Sequence, residues 1–170
     1  HGRSTIKTWS SDRHATSFEW LLYCLLAKRF ANDTRITFQI PNGVDANYRI
    51  YTHRFCLSHG DAFRGGDGVI GVLGPVVRGD YKKRARNSQI NQAYETLLIG
   101  HFHQYVHLTK LIINGSLVGY NEYAYVNNFP YEKPCQALFL THPNHGITFR
   151  MPVFASEHEV VAPSSWVSVK

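Results

Sequence analysis

The stretch "TLLIGHFH", Thr96 to His103, decides how this chain folds. Leu97, Leu98 and Ile99 are apolar in succession, and successive side chains of a strand point to opposite faces, so both faces need cover. Such a strand belongs in the middle of a sheet, inside a layered α/β arrangement rather than an open barrel. The run stops at Gly100 and presents His101 and His103, one residue apart. An extended backbone through Phe102 would put both imidazoles on one side. In layered α/β proteins ligands gather beyond the carboxyl ends of the strands, and neutral imidazole is a natural ligand for zinc-, manganese- and iron-type ions. Ten histidines among 170 residues also make a close pair unremarkable, so the spacing alone leaves a structural role open.

Working outward, a second stretch has the same grammar. "FCLSHG" is a strand pattern ending in His59 and Gly60, followed by Asp61. Both strand ends can face one crevice, and their glycines let backbone approach where a side chain would block it. Asp61 is placed to orient a ligand histidine, although an aspartate after glycine is also an ordinary turn residue. Upstream, "ANYRIYTHRFCLSH" predicts two strands meeting at a turn near Tyr51 to His53. "RITFQI" predicts a further strand by alternation, stopped at Pro41-Asn42-Gly43. "TSFEWLLYCLLAKRF" predicts a helix, with Thr16 and Glu19 as a capping box and Lys28 and Arg29 in the last turn. It is apolar over most of its circumference and is expected to be well buried.

Downstream of His59, seven glycines between Gly60 and Gly79 predict a loop, a short helix and another loop. "HLTKLIING", "QALFLTH" and "GITFRMPVF" predict further strands, and 155–170 reads as a loosely attached tail after a domain over 1–154.

Composition bounds the function. An apolar fraction of 44% and an aromatic fraction of 14% are those of a globular domain. No apolar run approaches the roughly 20 residues of a membrane span, and no secretory signal is legible. Cys24, Cys56 and Cys135 are odd in number and widely spaced, which argues against a disulfide framework and for free thiols in an intracellular, cytoplasmic setting. The formal charge of +6 favours an anionic partner. Arg78, Lys82, Lys83, Arg84 and Arg86, with Tyr81 among them, could track a phosphate backbone and stack on a base; a solvated face is the plainer account.

Taken together, "GHFH" resembles the closing Gly-His-x-His motif of the calcineurin-like metallophosphoesterases, and "LSHGD" resembles that family's preceding motif, a strand ending in one histidine before glycine. "INGSLVGYNEYA", Ile113 to Ala124, is similar to the strand and loop that follow in bacteriophage-type members. The resemblance implies a partial layered α-β-β-α sandwich of mixed sheets flanked by helices, and metal-dependent hydrolysis of a phosphate ester, DNA included among the substrates. It implies two divalent ions, manganese, iron or zinc, with His59 and His101 holding one and His103 the other. His1 falls where the histidine of an earlier Gly-Asn-His motif would fall and would act as the catalytic acid, with Gly2 in place of the usual acidic neighbour. The motifs that carry the asparagine and the bridging aspartate would then lie upstream, so the chain as given is expected to bind one ion weakly and to hydrolyse little. The alternative is a non-catalytic basic module that binds nucleic acid or serves a larger assembly.

Overall fold

In a computed structural model of the chain, residues 18–41, 43–63, 71, 73–126 and 128–155 are described. The order is α1 (Phe18–Arg29), β1 (Asp45–Ile50), β2 (His53–Ser58), α2 (Leu73–Gln89), β3 (Thr96–Ile99), β4 (Val106–Leu108), β5 (Leu111–Ile113), α3 (Glu122–Val126), β6 (Cys135–His142) and β7 (Gly146–Phe154). Five strands form one mixed sheet in the order β1-β2-β3-β5-β4, and β6 and β7 form a separate antiparallel pair. The chain is therefore a mixed α/β domain.

The apolar run that opens the sequence argument occupies the centre of the five-stranded sheet. β3 pairs in parallel with β2 on one side and β5 on the other. Parallel neighbours need a crossover of a dozen or more residues, and α2 lies between β2 and β3. Cys56, Leu97, Ile99, Leu111 and Ile113 share one face and form the core with Val76 of α2. On the opposite face Phe55 stacks on Phe139 of β6, with ring centroids 5.6 Å apart, and on its cross-strand partner Tyr48 at 5.2 Å. Asn114 ties the two sheets together. Its amide donates to Gln136 Oε1 at 2.8 Å, and its oxygen accepts from the Ala137 N–H at 2.7 Å.

Three expectations need correction. "RITFQI" forms no strand: among the described residues its link to β1 is a side-chain bond from Gln39 Nε2 to the Asn47 carbonyl, not a backbone ladder. The helix α1 is present from Phe18, with Thr16 outside the described residues, but none of its residues is buried. Phe18, Leu21, Leu22, Tyr23 and Leu25 stay exposed, because helix formation is local whereas burial requires a facing surface. The glycine-rich segment yields a 17-residue helix, not a short one. Most of the glycines precede it, Pro75 sits in its first turn where a missing N–H costs nothing, and its end is a Schellman motif. There Asn91 adopts a left-handed φ of 58°, and Gln92 N–H reaches the Asn87 carbonyl at 2.8 Å.

Cys56 and Cys135 are buried and Cys24 is half-buried, all as free thiols. Burial, with the Asp45 carboxylate nearby, pushes the Cys56 thiol up to about 11, so it behaves as a small apolar side chain. Among the described residues no helix is long and apolar enough to cross a membrane.

The helix α2 sorts its basic residues by face. Lys83, with 8% of its side chain exposed, forms an ion pair with Asp45 at the start of β1, and Arg86 adds a second contact to the same carboxylate at 3.1 Å. Burial alone would raise the Asp45 carboxyl, but bonds from Lys83 and Ser58 and the charge of Arg86 bring it below its ordinary value. Arg84 pairs with Asp80, lies 4.6 Å from the Tyr94 ring centroid, and donates to the carbonyls of Tyr94, Glu95 and Lys110. Lys83→Ala should therefore destabilise the fold, toward the lower end of the about 3–5 kcal/mol typical of breaking a buried pair, since Arg86 remains. Lys82→Ala, on the exposed face, should stay within about 0.5 kcal/mol. Urea unfolding of the two variants, side by side, checks the contrast.

Candidate metal centre

Parallel register builds the site. Ser58 of β2 stands opposite Ile99 of β3, so the chain leaves both strands at the same level and in the same direction. His59 follows one strand, and Gly100 and His101 follow the other. The Gly100 N–H donates to the His59 carbonyl at 3.1 Å and joins the two ends. Gly60 adopts a φ of +107°, and a Cβ there would stand 3.2 Å from the Gly100 oxygen and 3.3 Å from the His101 Cβ. Glycine is required at this position both for its backbone and for the close approach.

The imidazoles of His59 and His101 meet directly. His101 Nδ1 and His59 Nε2 lie 3.2 Å apart, with the rings nearly perpendicular at 74°. One nitrogen carries a proton and the other accepts it. Crowding by surrounding protein lowers the pKa of both; for His59 the neighbouring His101 adds to the effect, and for His101 the Asp61 carboxylate opposes it while His103 reinforces it. Both rings are thereby held in the neutral form that offers lone pairs. The spacing also suits a shared cation: with metal–nitrogen bonds of about 2.0–2.1 Å, two ligands at a tetrahedral angle stand about 3.3 Å apart and at a right angle about 3 Å apart.

His103 departs from the sequence expectation. The backbone is not extended through this step, for His101 has a φ of 70° and His103 a φ of 55°, both left-handed. The Phe102 N–H turns back to the Gly100 carbonyl at 2.8 Å. A tight turn replaces the strand, so the argument that placed both imidazoles on one side by alternation is corrected. Non-glycine residues in this region are uncommon, and two within three positions mark a strained turn. The His103 ring packs edge-on against Phe129, centroids 5.6 Å apart, and lines a small cavity with Ser116, Tyr120 and Glu132. It remains near enough to influence the protonation of the other two histidines. Two imidazoles thus touch and the third stands beside them. Among the described residues no group of three or more histidine, cysteine, aspartate or glutamate side chains is arranged to hold a metal ion.

Several neighbours escaped sequence reasoning. Asn121 caps α3 by accepting the Ala124 N–H at 3.0 Å. At the other end Asn128, left-handed at a φ of 52°, lets the Phe129 N–H reach the Ala124 carbonyl at 2.9 Å, and this delivers Phe129 to His103. The loop after His59 is pinned by Phe63, whose ring occupies the space a Cβ on Gly79 would take. An Asn-x-x-x-x-x-x-Asn bracket was a legible signal for the short helix; nothing in the sequence marked Phe63 or Glu132.

The remaining expected residues divide. Asp61 is exposed beside the histidine pair and acts on His59 and His101 through its charge. Arg78, Tyr81 and Lys82 are exposed on the outer face of α2, whereas Lys83 and Arg84 spend their charges on internal partners and Arg86 is shared with Asp45. For Lys83 and Arg84 the expected role of contacting a phosphate backbone is corrected on that ground. His1 lies outside the described residues. Comparison with protein-family models, with curated proteins and with solved structures finds no match to this chain.

Gly60→Ala should cost about 1–3 kcal/mol through its backbone conformation alone. It should also break the contact between His59 and His101. Guanidinium unfolding reads the first effect, and imidazole NMR resonances read the second; a variant with native stability and unmoved resonances would contradict the geometry.

Proposed function

We propose that this chain is the C-terminal part of a calcineurin-like metallophosphoesterase domain, whose β6–β7 pair and five-stranded sheet belong to the family's α-β-β-α sandwich. The observation that carries the reading is the 3.2 Å contact between His59 and His101 at the carboxyl ends of adjacent parallel strands. A motif resemblance alone would not require the two rings to meet, and here they do. Their neutral rings and their spacing fit one divalent ion of the zinc, manganese or iron type, and His103 is the candidate ligand for a second.

When bound, such ions supply Lewis acidity for hydrolysis of a phosphate ester. The chain's own contribution is to hold two imidazoles neutral and in contact, to set His103 beside them on a strained turn, and to place the Asp61 carboxylate next to the pair. His1 completes the proposal as the proton donor to the leaving oxygen. The site as given has few negative charges, so cation binding by this chain alone is weak and hydrolysis slight.

Zinc or manganese titrated into the chain, followed by calorimetry, should give one weak site near neutral pH. His59→Ala and His101→Ala should each abolish it, and His103→Ala should weaken it less. Binding should fade as pH falls through the histidine pKa values, which lie below the ordinary 6.5, because protonation consumes the lone pairs. Unchanged binding in both the His59 and His101 variants would end the proposal.

A second reading, a basic nucleic-acid-binding module, is favoured by the exposed trio Arg78, Tyr81 and Lys82 on one face of α2. Arg78 and Lys82 are one turn apart and could meet successive phosphates, with Tyr81 between them as a stacking surface. On this reading Arg78→Ala with Lys82→Ala should lower the slope of log affinity against log salt by about 1.4–1.8, at roughly 0.7–0.9 per phosphate lost. Fluorescence anisotropy with a labelled oligonucleotide measures it, and a slope that does not change removes the helix from any such interface.

A further inference from the structure

The turn from Gly100 to Tyr105 cannot hold itself. Left-handed backbone at His101 and His103 persists only where the surroundings over-determine it. Upstream, the turn is tied by Gly100 to His59 and by Phe102 to Gly100. Downstream, β4 begins at Val106, and the residue between, Tyr105, lies outside any strand. Its N–H is donated to Glu132 Oε2 at 2.9 Å. Glu132 comes from the segment between α3 and β6, so this one bond ties the turn to a part of the chain 27 residues away.

The choice of a carboxylate there is costly. Glu132 is half-buried, and burial raises its pKa while the bond from Tyr105 opposes the rise. Among the described residues it forms no ion pair with a lysine, arginine or histidine. A charged acceptor on a backbone N–H is stronger and shorter than a neutral one, which accounts for a carboxylate where an amide would cost less to bury. Glu132 also lines the cavity that His103 enters, with Phe129 and Tyr120. The same segment thus bears on the turn twice, through Phe129 on the ring of His103 and through Glu132 on the backbone just beyond it.

We propose that Glu132 is a positioning residue that fixes the His101–His103 turn by accepting the Tyr105 N–H, and so sets where those two imidazoles stand. The role rests on the metal-centre reading for its purpose but not for its geometry. It does not require Glu132 to touch the cation or the substrate.

The test uses the full chain without metal and follows the histidine ring resonances by NMR. Glu132→Met fills similar space without an acceptor oxygen and should displace the His101 and His103 resonances, leaving those of His142, at the end of β6, and His145, in the turn after it, in place. Glu132→Gln keeps an acceptor and should restore most of the native positions. Resonances of His101 and His103 that stay put in the Met variant, or that move equally in Met and Gln variants, would overturn the proposal. A measurement on the native chain guards against a variant that fails to fold: the Tyr105 amide should exchange with solvent slowly despite lying outside a strand, and exchange at the rate of an open loop would overturn the proposal as well. Zinc added to the native chain separates the two ideas. If no histidine responds to zinc while the Met variant still displaces the turn, the metal-centre reading fails and the positioning role stands. If histidines respond to zinc but the Met variant changes nothing, the reverse holds.

Discussion

The parallel pairing of β2 with β3 is the constraint from which the rest follows. With Ser58 opposite Ile99, two strand ends leave the sheet side by side, and the residues that follow them must share one small volume. A shift of one residue would exchange the faces of β3, turning Leu97 and Ile99 away from Val76 and α2. The register is therefore fixed by burial, and the meeting of His59 with His101 is a consequence of core packing. The placement of the two imidazoles is thus set by hydrophobic contacts within the sheet beneath them.

Above the sheet, the two histidine-bearing loops are held by different residues. The loop after His59 has a backbone bond from the Phe63 N–H to the Gly60 carbonyl at 3.0 Å, and the Phe63 ring lies on the bare backbone of Gly79. The turn after Gly100 is held through hydrogen bonds, through Phe102 on the core and through Phe129, which follows the C-terminal asparagine cap of α3. A tight apolar contact resists displacement in every direction, whereas a hydrogen bond fixes one atom along one line. Both sides of the pair combine apolar contact with hydrogen bonding, through Phe63 on one side and Phe102 on the other.

Much of the framework was legible because it rests on local pattern. The apolar run at β3, the hairpin around Tyr51 and the strands β6 and β7 follow from alternation and turn residues, whereas "HLTKLIING", read as one strand, folds back at Thr109 and Lys110 into the antiparallel pair of β4 and β5. The contact between His59 and His101 needed something more, since strand ends reveal their neighbours only once the pairing order is known. What escaped prediction was nonlocal or strained. Phe63 on Gly79 and Glu132 on Tyr105 join residues that no periodicity connects. The left-handed φ of His101 and His103 broke the period-two argument, because alternation holds only while backbone stays extended. The basic cluster misled for a related reason: helical spacing divides Arg78, Tyr81 and Lys82 from Lys83 and Arg84, and a count of charges ignores faces. Once α2 is known to be a helix of 17 residues, Lys83 must point where Val76 and Asn87 point, into the protein.

A chain with a formal charge of +6 repels a dication and attracts a phosphate. Protonated histidines would add to that repulsion, and crowding around His59 and His101 removes the possibility by keeping both rings neutral near pH 7. Asp61 acts in two opposed ways. Its carboxylate raises the pKa of His101, which costs some lone-pair availability, yet it places negative charge beside the two imidazoles. The balance falls to the crowding, since the net shift of His101 is downward. The pair can therefore keep its neighbouring carboxylate and its lone pairs together, while Arg78, Tyr81 and Lys82 stay exposed on α2.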